Sequence, residues 1–271
     1  MFHTPAIFNN IRFLRKLSFS TFRRYAELFK SRYSVERRMG VSMLLDKMDK
    51  VDLNLLCGGI WESDRIDYLK TAILSQMRPE KRTVFLDIGS HGALYSLVLA
   101  KHINFDRIIA FEPEPVGIAQ INANVMMNDL CGRLEIVPKA VSASSGVAKF
   151  LVAHESNRGQ SRIVEADHPA SGSTIDVQIT SIDDMLDESD TFLIAKIDVE
   201  GHETEVISGM KNTIAHNFVI IQVEINNIAT SNVEKLLFSH GFKMINSIEQ
   251  DYYFLKTEIT AGFSKSGAST S

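Results

Sequence analysis

Thr83-Val84-Phe85-Leu86-Asp87-Ile88-Gly89-Ser90-His91-Gly92 is the stretch on which the fold turns. Six residues, all but one of the last five apolar, stop at a glycine, the pattern of a short buried strand that turns at once. Leu94–His102 then reads as a helix, and Arg107–Phe111 as a second strand closed by Glu112-Pro113. Residues 116–128 carry Ile118, Ile121 and Val125 at helical spacing, and Leu134–Val137 is a third strand. Phe192–Ile197 and Phe218–Ile225 are further strands, with a helix between them over about 203–215. Alternation of this kind predicts an α/β fold, a mostly parallel, doubly wound sheet with helices on both faces.

Two stretches break the alternation. Val147–Val152 and Ile175–Ile179 read as strands with no helix between them, a β-excursion beside the sheet. Phe242–Ile245 and Tyr252–Leu255 read as an antiparallel pair at the C-terminal end. Upstream, Val41–Leu45 and Val51–Cys57 read as short strands around a polar stretch. A helix follows with Ile66, Leu69, Ile73 and Leu74 at helical spacing, closed by Pro79.

The chain has 271 residues, 45% hydrophobic and 23% charged, which is ordinary globular composition and excludes wholesale disorder. No apolar run approaches the ~18–20 residues that span a bilayer. Two cysteines, Cys57 and Cys131, make neither a zinc cluster nor a disulfide framework, and the expectation is a cytoplasmic protein. Charge is unevenly spread. Residues 1–38 hold nine basic residues against two acids, a net +7, which leaves −11 over the remainder. An acidic body argues against a nucleic-acid partner, whose phosphates call for Lys and Arg.

The organisation expected is a basic amphipathic helical arm over 1–40, a connecting, substrate-side element over 41–79, a ligand-binding domain over 80–257 and a disordered Ser/Gly/Thr-rich tail over 258–271. In the arm, Ile11, Phe13, Leu14 and Leu17 share one side of a helix, with Arg12, Arg15 and Lys16 opposite. That pattern fits a helix packed on the body or on a second copy of the chain, and also peripheral contact with an anionic membrane; a transit peptide is a third reading.

Open α/β sheets bind ligands at the carboxyl ends of their strands. The first such end carries Asp87, Gly89, Ser90, His91 and Gly92. A nicotinamide loop, G-x-G-x-x-G, would need glycine at 89, 91 and 94; the chain has Gly89, His91 and Leu94. Asp87 at the loop mouth would repel a pyrophosphate but suits a sulfonium or ammonium group, which favours S-adenosylmethionine (SAM) over NAD. Glu112, 25 residues on, ends the next strand, where a carboxylate accepts both hydroxyls of an adenosine ribose; Pro113 helps end that strand. At the strand end after 192–197, Asp198, Glu200 and His202 are the candidate catalytic groups, since a hydroxyl nucleophile benefits from a nearby general base. Glu224, ending another strand, either faces the acceptor or binds Lys196.

Taken together these residues resemble the FkbM family of SAM-dependent methyltransferases. The first family motif, D-x-G-A-N-x-G, is matched by Asp87, Gly89 and Ser90, with His91 in the Asn place and Ala93 in the last Gly place. The second, F-E-P-x-P and a helix with two Asn, is matched by Phe111, Glu112, Pro113, Pro115, Asn124 and Asn128. A K-A-V-S turn is matched by Lys139–Ser142, and K-I-D-V-E-G-x-E is unbroken from Lys196 to Glu203; Gly59-Ile60-Trp61-Glu62 is similar to the family's G-x-W-E. The likeness covers roughly residues 41–225 and implies a Rossmann-like class I methyltransferase that moves a methyl group from SAM to a hydroxyl of a small-molecule or glycan acceptor. It places SAM over Gly89–Gly92, with Glu112 on the ribose and Ala140, Val141 and Ser142 near the adenine, and puts Trp61 and Glu62 on the acceptor side. No metal is expected. The altered loop, His91 and Ala93, keeps one alternative open, a non-catalytic SAM-binding or scaffold protein.

Overall fold

The computed structural model describes residues 31–165, 173–226, 228 and 232–259. The amphipathic helices expected before residue 31 and the tail beyond 259 lie outside the described residues. Among the described residues no helix is long and apolar enough to cross a membrane.

A seven-stranded sheet forms the centre. Its strands are β3 (Thr83–Ile88), β4 (Arg107–Phe111), β5 (Leu134–Val137), β10 (Phe192–Ile197), β11 (Phe218–Glu224), β12 (Lys243–Ile248) and β13 (Asp251–Lys256), in the order β5-β4-β3-β10-β11-β13-β12. Every pairing from β5 across to β11 is parallel, whereas β13 runs antiparallel to both β11 and β12. The chain leaves β3 in one direction and returns to add β10 on its other side, so the switch point lies between β3 and β10. This is the Rossmann-like fold expected.

Each face of the sheet carries its own core. Phe85, Ile194 and Ile220 point to one side, against α2 (Ser63–Gln76), α3 (Leu94–Ala100) and α4 (Pro115–Met127). Leu86, Ile88, Leu193 and Val219 point to the other, against α6 (Glu203–Ser208), α7 (Lys211–His216) and α8 (Val233–Ser239). The two-residue period of a strand thereby fills both layers, and β3 and β10 are buried along their whole length.

Three differences from the expected elements have local causes. Val51–Cys57 is no strand but part of α1 (Lys50–Gly58). Asp49 caps it, accepting from the backbone N–H of Val51 (2.9 Å) and Asp52 (3.2 Å), and Gly59 ends it at φ +73°. Tyr33–Arg38, assigned from sequence to the helical arm, is strand β1; it pairs antiparallel with β2 (Val41–Asp46) across a turn in which Met39 and Gly40 both have positive φ. The helix expected over 203–215 is divided at Gly209, where a Cβ would lie 2.1 Å from the Ser142 carbonyl oxygen.

The β-excursion is a separate four-stranded sheet of β6 (Ala140–Val141), β7 (Gly146–Val152), β8 (Arg162–Val164) and β9 (Ser173–Thr180), ordered β6-β9-β7-β8. Between β7 and β8 a 3-10 segment, Glu155–Gln160, reaches back to α1.

The β1–β2 hairpin is held by an amide ladder. Gln120, Asn124 and Asn128 stand one turn apart on one side of α4. Asn124 Oδ1 accepts from Leu44 N–H (2.7 Å), Asn128 exchanges two bonds with Ser42 (2.9 and 2.7 Å), and Gln120 Nε2 donates to the Leu44 carbonyl (2.9 Å). Three side chains thus satisfy the free backbone edge of β2 as a neighbouring strand would.

Candidate active site

The carboxyl ends of β3, β4, β10 and β11 open into one cleft of about 320 Å³, closed by α1, Trp61, Glu62 and the 3-10 segment. Asp87, Gly89, Ser90, His91, Gly92, Glu112, Pro113, Val141, Asp198, Glu200, His202 and Glu224 all line it, while Ala140 and Ser142 do not. It has a glycine-loop end and a carboxylate-rich end.

At the glycine loop, Gly89 has φ +77°, and a Cβ there would sit 1.8 Å from the Asp198 carbonyl oxygen. The loop after β3 passes against the chain leaving β10, and only glycine permits both the approach and the dihedral. His91 (φ +51°) and Ala93 (φ +61°) are also left-handed. Ala93 stands where the family motif has glycine, and its methyl is wholly buried in the core, an apolar gain set against a backbone cost of about 1–2 kcal/mol. Asn124 Nδ2 donates to the Gly92 carbonyl (2.9 Å) and ties the loop to α4.

Asp87 is buried beneath the loop, its Oδ2 accepting from Ser96 Oγ (2.6 Å) and Ser96 N–H (3.2 Å) at the start of α3. Glu112 is buried at the rim, with Oε2 accepting from His91 N–H (2.9 Å) and Oε1 from Glu114 N–H (2.8 Å). Burial raises its pKa to about 7. Each oxygen accepts one backbone N–H, so each keeps a lone pair for a ligand hydroxyl. Gly117 makes the room, since a Cβ on it would come within 2.9 Å of the Glu112 carboxyl carbon.

Beside the loop is a charge network absent from the sequence reading. Arg158, from the 3-10 segment, is buried; its Nη2 donates to Gln120 Oε1 (2.8 Å), its backbone N–H to Asp49 Oδ2 (3.0 Å), and its guanidinium lies 3.9 Å from both Asp46 and Asp49. His91 Nε2 is 3.7 Å from Asp49 Oδ1. Burial alone would lower the His91 pKa, but Asp49 and Asp52 outweigh it and raise it. Asp49, Asp52 and His91 place ligand-type atoms within 4.8 Å of one another, and the Arg158 cation stands against Asp49 in the same cluster. The arrangement pins the excursion over the cleft.

At the other end Lys196, almost wholly buried, places Nζ 2.8 Å from Asp198 Oδ2 and 5.0 Å from the centre of the Tyr95 ring. Glu62, at φ +48°, accepts from Tyr95 OH (3.0 Å) and pairs with Arg65 Nη1 (2.8 Å). Arg65 Nε meets Asp251 Oδ2 (3.0 Å), and Gln222 Nε2 donates to both Asp251 Oδ1 (2.7 Å) and Tyr95 OH (2.9 Å), which closes the ring of contacts. Glu62 is therefore fastened to the sheet through residues of α2, α3, β11 and β13. Tyr95, Arg65, Gln222 and Asp251 carried no sequence signal, because their partners come from distant parts of the chain, as Arg65 and Asp251 do.

His202 points both ring nitrogens at protein, Nε2 to Ser142 Oγ (2.9 Å) and Nδ1 toward Glu205 (3.8 Å), and burial lowers its pKa. Glu200 and Gly201 form a left-handed turn, closed by Gly201 N–H donating to Glu203 Oε1 (2.7 Å). Glu224 ends β11 beside Asp198.

Comparison with known proteins agrees with this architecture. The methyltransferase FkbM domain matches residues 87–244, more than half of the chain. The chain is 26% identical over 188 residues to the methyltransferase sdnD of Sordaria araneosa, covering 58% of this chain and 72% of that protein. It is 25% identical over 222 residues to the 31-O-demethyl-FK506 methyltransferase FkbM of Streptomyces tacrolimicus, covering 71% and 82%. It is 26% identical over 161 residues to the hexuronic acid methyltransferase AglP of Haloferax volcanii, covering 58% and 62%. The glycine loop, the strand-end acids and the unbroken Lys196–Glu203 stretch all fall within the matched span, and the chain belongs to the FkbM methyltransferase family.

Proposed function

We propose that this chain is a SAM-dependent O-methyltransferase whose acceptor is a hydroxyl of a small molecule or glycan. The observation that carries the reading is Glu112, a buried carboxylate at the end of β4 whose two oxygens each keep a lone pair, facing the cleft beside the glycine-flanked loop Gly89–Gly92. Such a site fits the ribose of SAM. Gly89–Gly92 would lie under the amino-acid portion, and Val141 beside the adenine. SAM supplies a methyl group activated on a positively charged sulfur.

The protein's own part is placement and proton management. The cleft runs without a break from Glu112 to Asp198 and Glu224, so donor and acceptor share one cavity, and alignment for in-line displacement accounts for much of the acceleration. Lys196 fixes the Asp198 carboxylate at the strand end, and the Glu62–Arg65–Asp251 contacts hold the acceptor-side wall. Relatives are named for 31-O-demethyl-FK506 and for hexuronic acid, and the acidic body of this chain disfavours a nucleic acid.

Calorimetric titration of SAM and of its demethylated product, S-adenosylhomocysteine (SAH), into the full chain and Glu112→Ala tests the reading. Loss of charge-assisted hydrogen bonds to the ribose should weaken both ligands by about 30-fold, or ~2 kcal/mol. Unchanged affinity in the variant would remove Glu112 from the site, and no binding to the full chain would overturn the assignment.

A further inference from the structure

Four side chains at the acceptor end of the cleft are able to take a proton from a hydroxyl: Asp198, Glu200, His202 and Glu224. Their surroundings separate them. Asp198 is held by the Lys196 ammonium, and His202 by Ser142 and Glu205. Glu200 sits in the left-handed turn, with Asn226 Nδ2 at 3.5 Å. Among the described residues, Glu224 accepts no hydrogen bond and forms no ion pair, although it is half-buried and lines the cavity.

Three other acids surround it. Asp198 extends the neighbouring parallel strand, and Asp251 on β13 is its direct partner in the antiparallel register. Glu62 faces it from the segment before α2. Lys196 is the cation that acts on it most strongly among the described residues, and that ammonium is already bound to Asp198; Arg65 is likewise spent on Glu62 and Asp251. Burial first, and then the Asp198 charge, raise the Glu224 pKa to about 8. In the cofactor-free protein at neutral pH Glu224 keeps its proton, and a group that is already protonated cannot serve as a base.

We propose that Glu224 is the group that takes the acceptor's hydroxyl proton, and that the positive charge of the bound cofactor is what readies it. The inference rests on the reading of the cleft as a SAM site. A cation entering a cavity walled by Asp198 and Glu62, with Asp251 buried behind Glu224, offsets their repulsion, and Glu224 ionises as the cation binds. The transfer then balances on this residue: the acceptor's O–H bond breaks and its proton passes to the Glu224 carboxylate, an O–CH3 bond forms, and the electron pair of the broken C–S bond stays on sulfur. Sulfur is then a neutral thioether, so the surrounding acids again favour the protonated carboxyl. The proton stays on Glu224 until the products leave.

The test needs no acceptor. SAM and SAH carry the same amino and carboxyl groups and differ by the methyl group and its charge. Titrating each into the full chain at pH 7.5, in buffers of different ionisation enthalpy, counts the protons released on binding. Lowering a group's pKa from about 8 to below 7 should release about half a proton more with SAM than with SAH. Glu224→Gln should abolish that difference while still binding both ligands, and Glu224→Asp should retain it. Equal proton release for the two ligands in the unaltered chain would overturn the proposal, even if neither variant folds. So would a difference that persists in Glu224→Gln. Failure of both ligands to bind would instead overturn the SAM reading beneath it.

Discussion

Gly89→Ala should destabilise the fold by about 3–5 kcal/mol and abolish the SAM binding proposed for the cleft, the largest effect expected of any single methyl group in this chain. The new Cβ would lie 1.8 Å from the Asp198 carbonyl oxygen and 2.9 Å from its carbon, both backbone atoms that no rotamer change can move aside. The residue would also have to hold φ +77°, itself worth about 1–2 kcal/mol for an L-residue with a Cβ. Relief requires β3 and β10 to part where Asp198 N–H donates to the Ile88 carbonyl (3.0 Å), at the centre of the sheet. Urea unfolding and SAM titration check the two halves of this expectation. A stable variant that merely fails to bind SAM would show that the loop can swing away from Asp198. Gly201 is the contrast: it too has a positive φ, but a Cβ there meets nothing within 4 Å, so its alanine variant bears only the backbone cost.

The second large effect is that of Lys196→Met. The substitution keeps the apolar stem and removes a buried ammonium that holds Asp198 at 2.8 Å and lowers the pKa of Asp87, which burial raises. Breaking a buried pair by deleting one partner leaves the other uncompensated, at about 3 kcal/mol here. The loss should depend on pH. Without the ammonium, Asp87 binds its proton in the folded chain at pH values where the unfolded chain has released it. Stability then falls as pH rises through the range above the unfolded value of ~3.9, so the defect is large at pH 7.5 and small near pH 4. Equal losses in urea midpoint at the two pH values would mean that packing on the Tyr95 ring, rather than charge, is what Lys196 contributes.

Much of the architecture was legible because its signals are local. The apolar run at 83–88 is buried along its whole length, and the parallel sheet with an antiparallel C-terminal strand follows from such runs punctuated by glycine, proline and strand-end acids. The reading failed where a short apolar run has no period of its own. Val51–Cys57 suits strand or helix alike, and the Asp49 cap with Gly59 at the far end decides for helix. Tyr33–Arg38 alternates weakly and carries arginines, yet β2 offers it a partner and Asp46 binds Arg32 at 2.8 Å. Asn124 and Asn128 stood out only as a motif match; their task, satisfying the backbone of β2, depends on a segment about 80 residues earlier in the chain.

The sequence by itself determined the class of fold, the family and the strand ends that open into the cleft. Those follow from hydrophobic period, from turn residues and from short motifs, all of which act over a few residues. The tertiary structure decided which acids are free and which are bound. Asp198, Glu200, His202 and Glu224 are equally polar in sequence, but Lys196 and Ser142 engage the first and third, and Asp251 and Glu62 crowd the last. The cause is that a carboxyl group's proton affinity is set by burial and by the charges within a few ångströms, and those charges are brought together here from opposite ends of the chain.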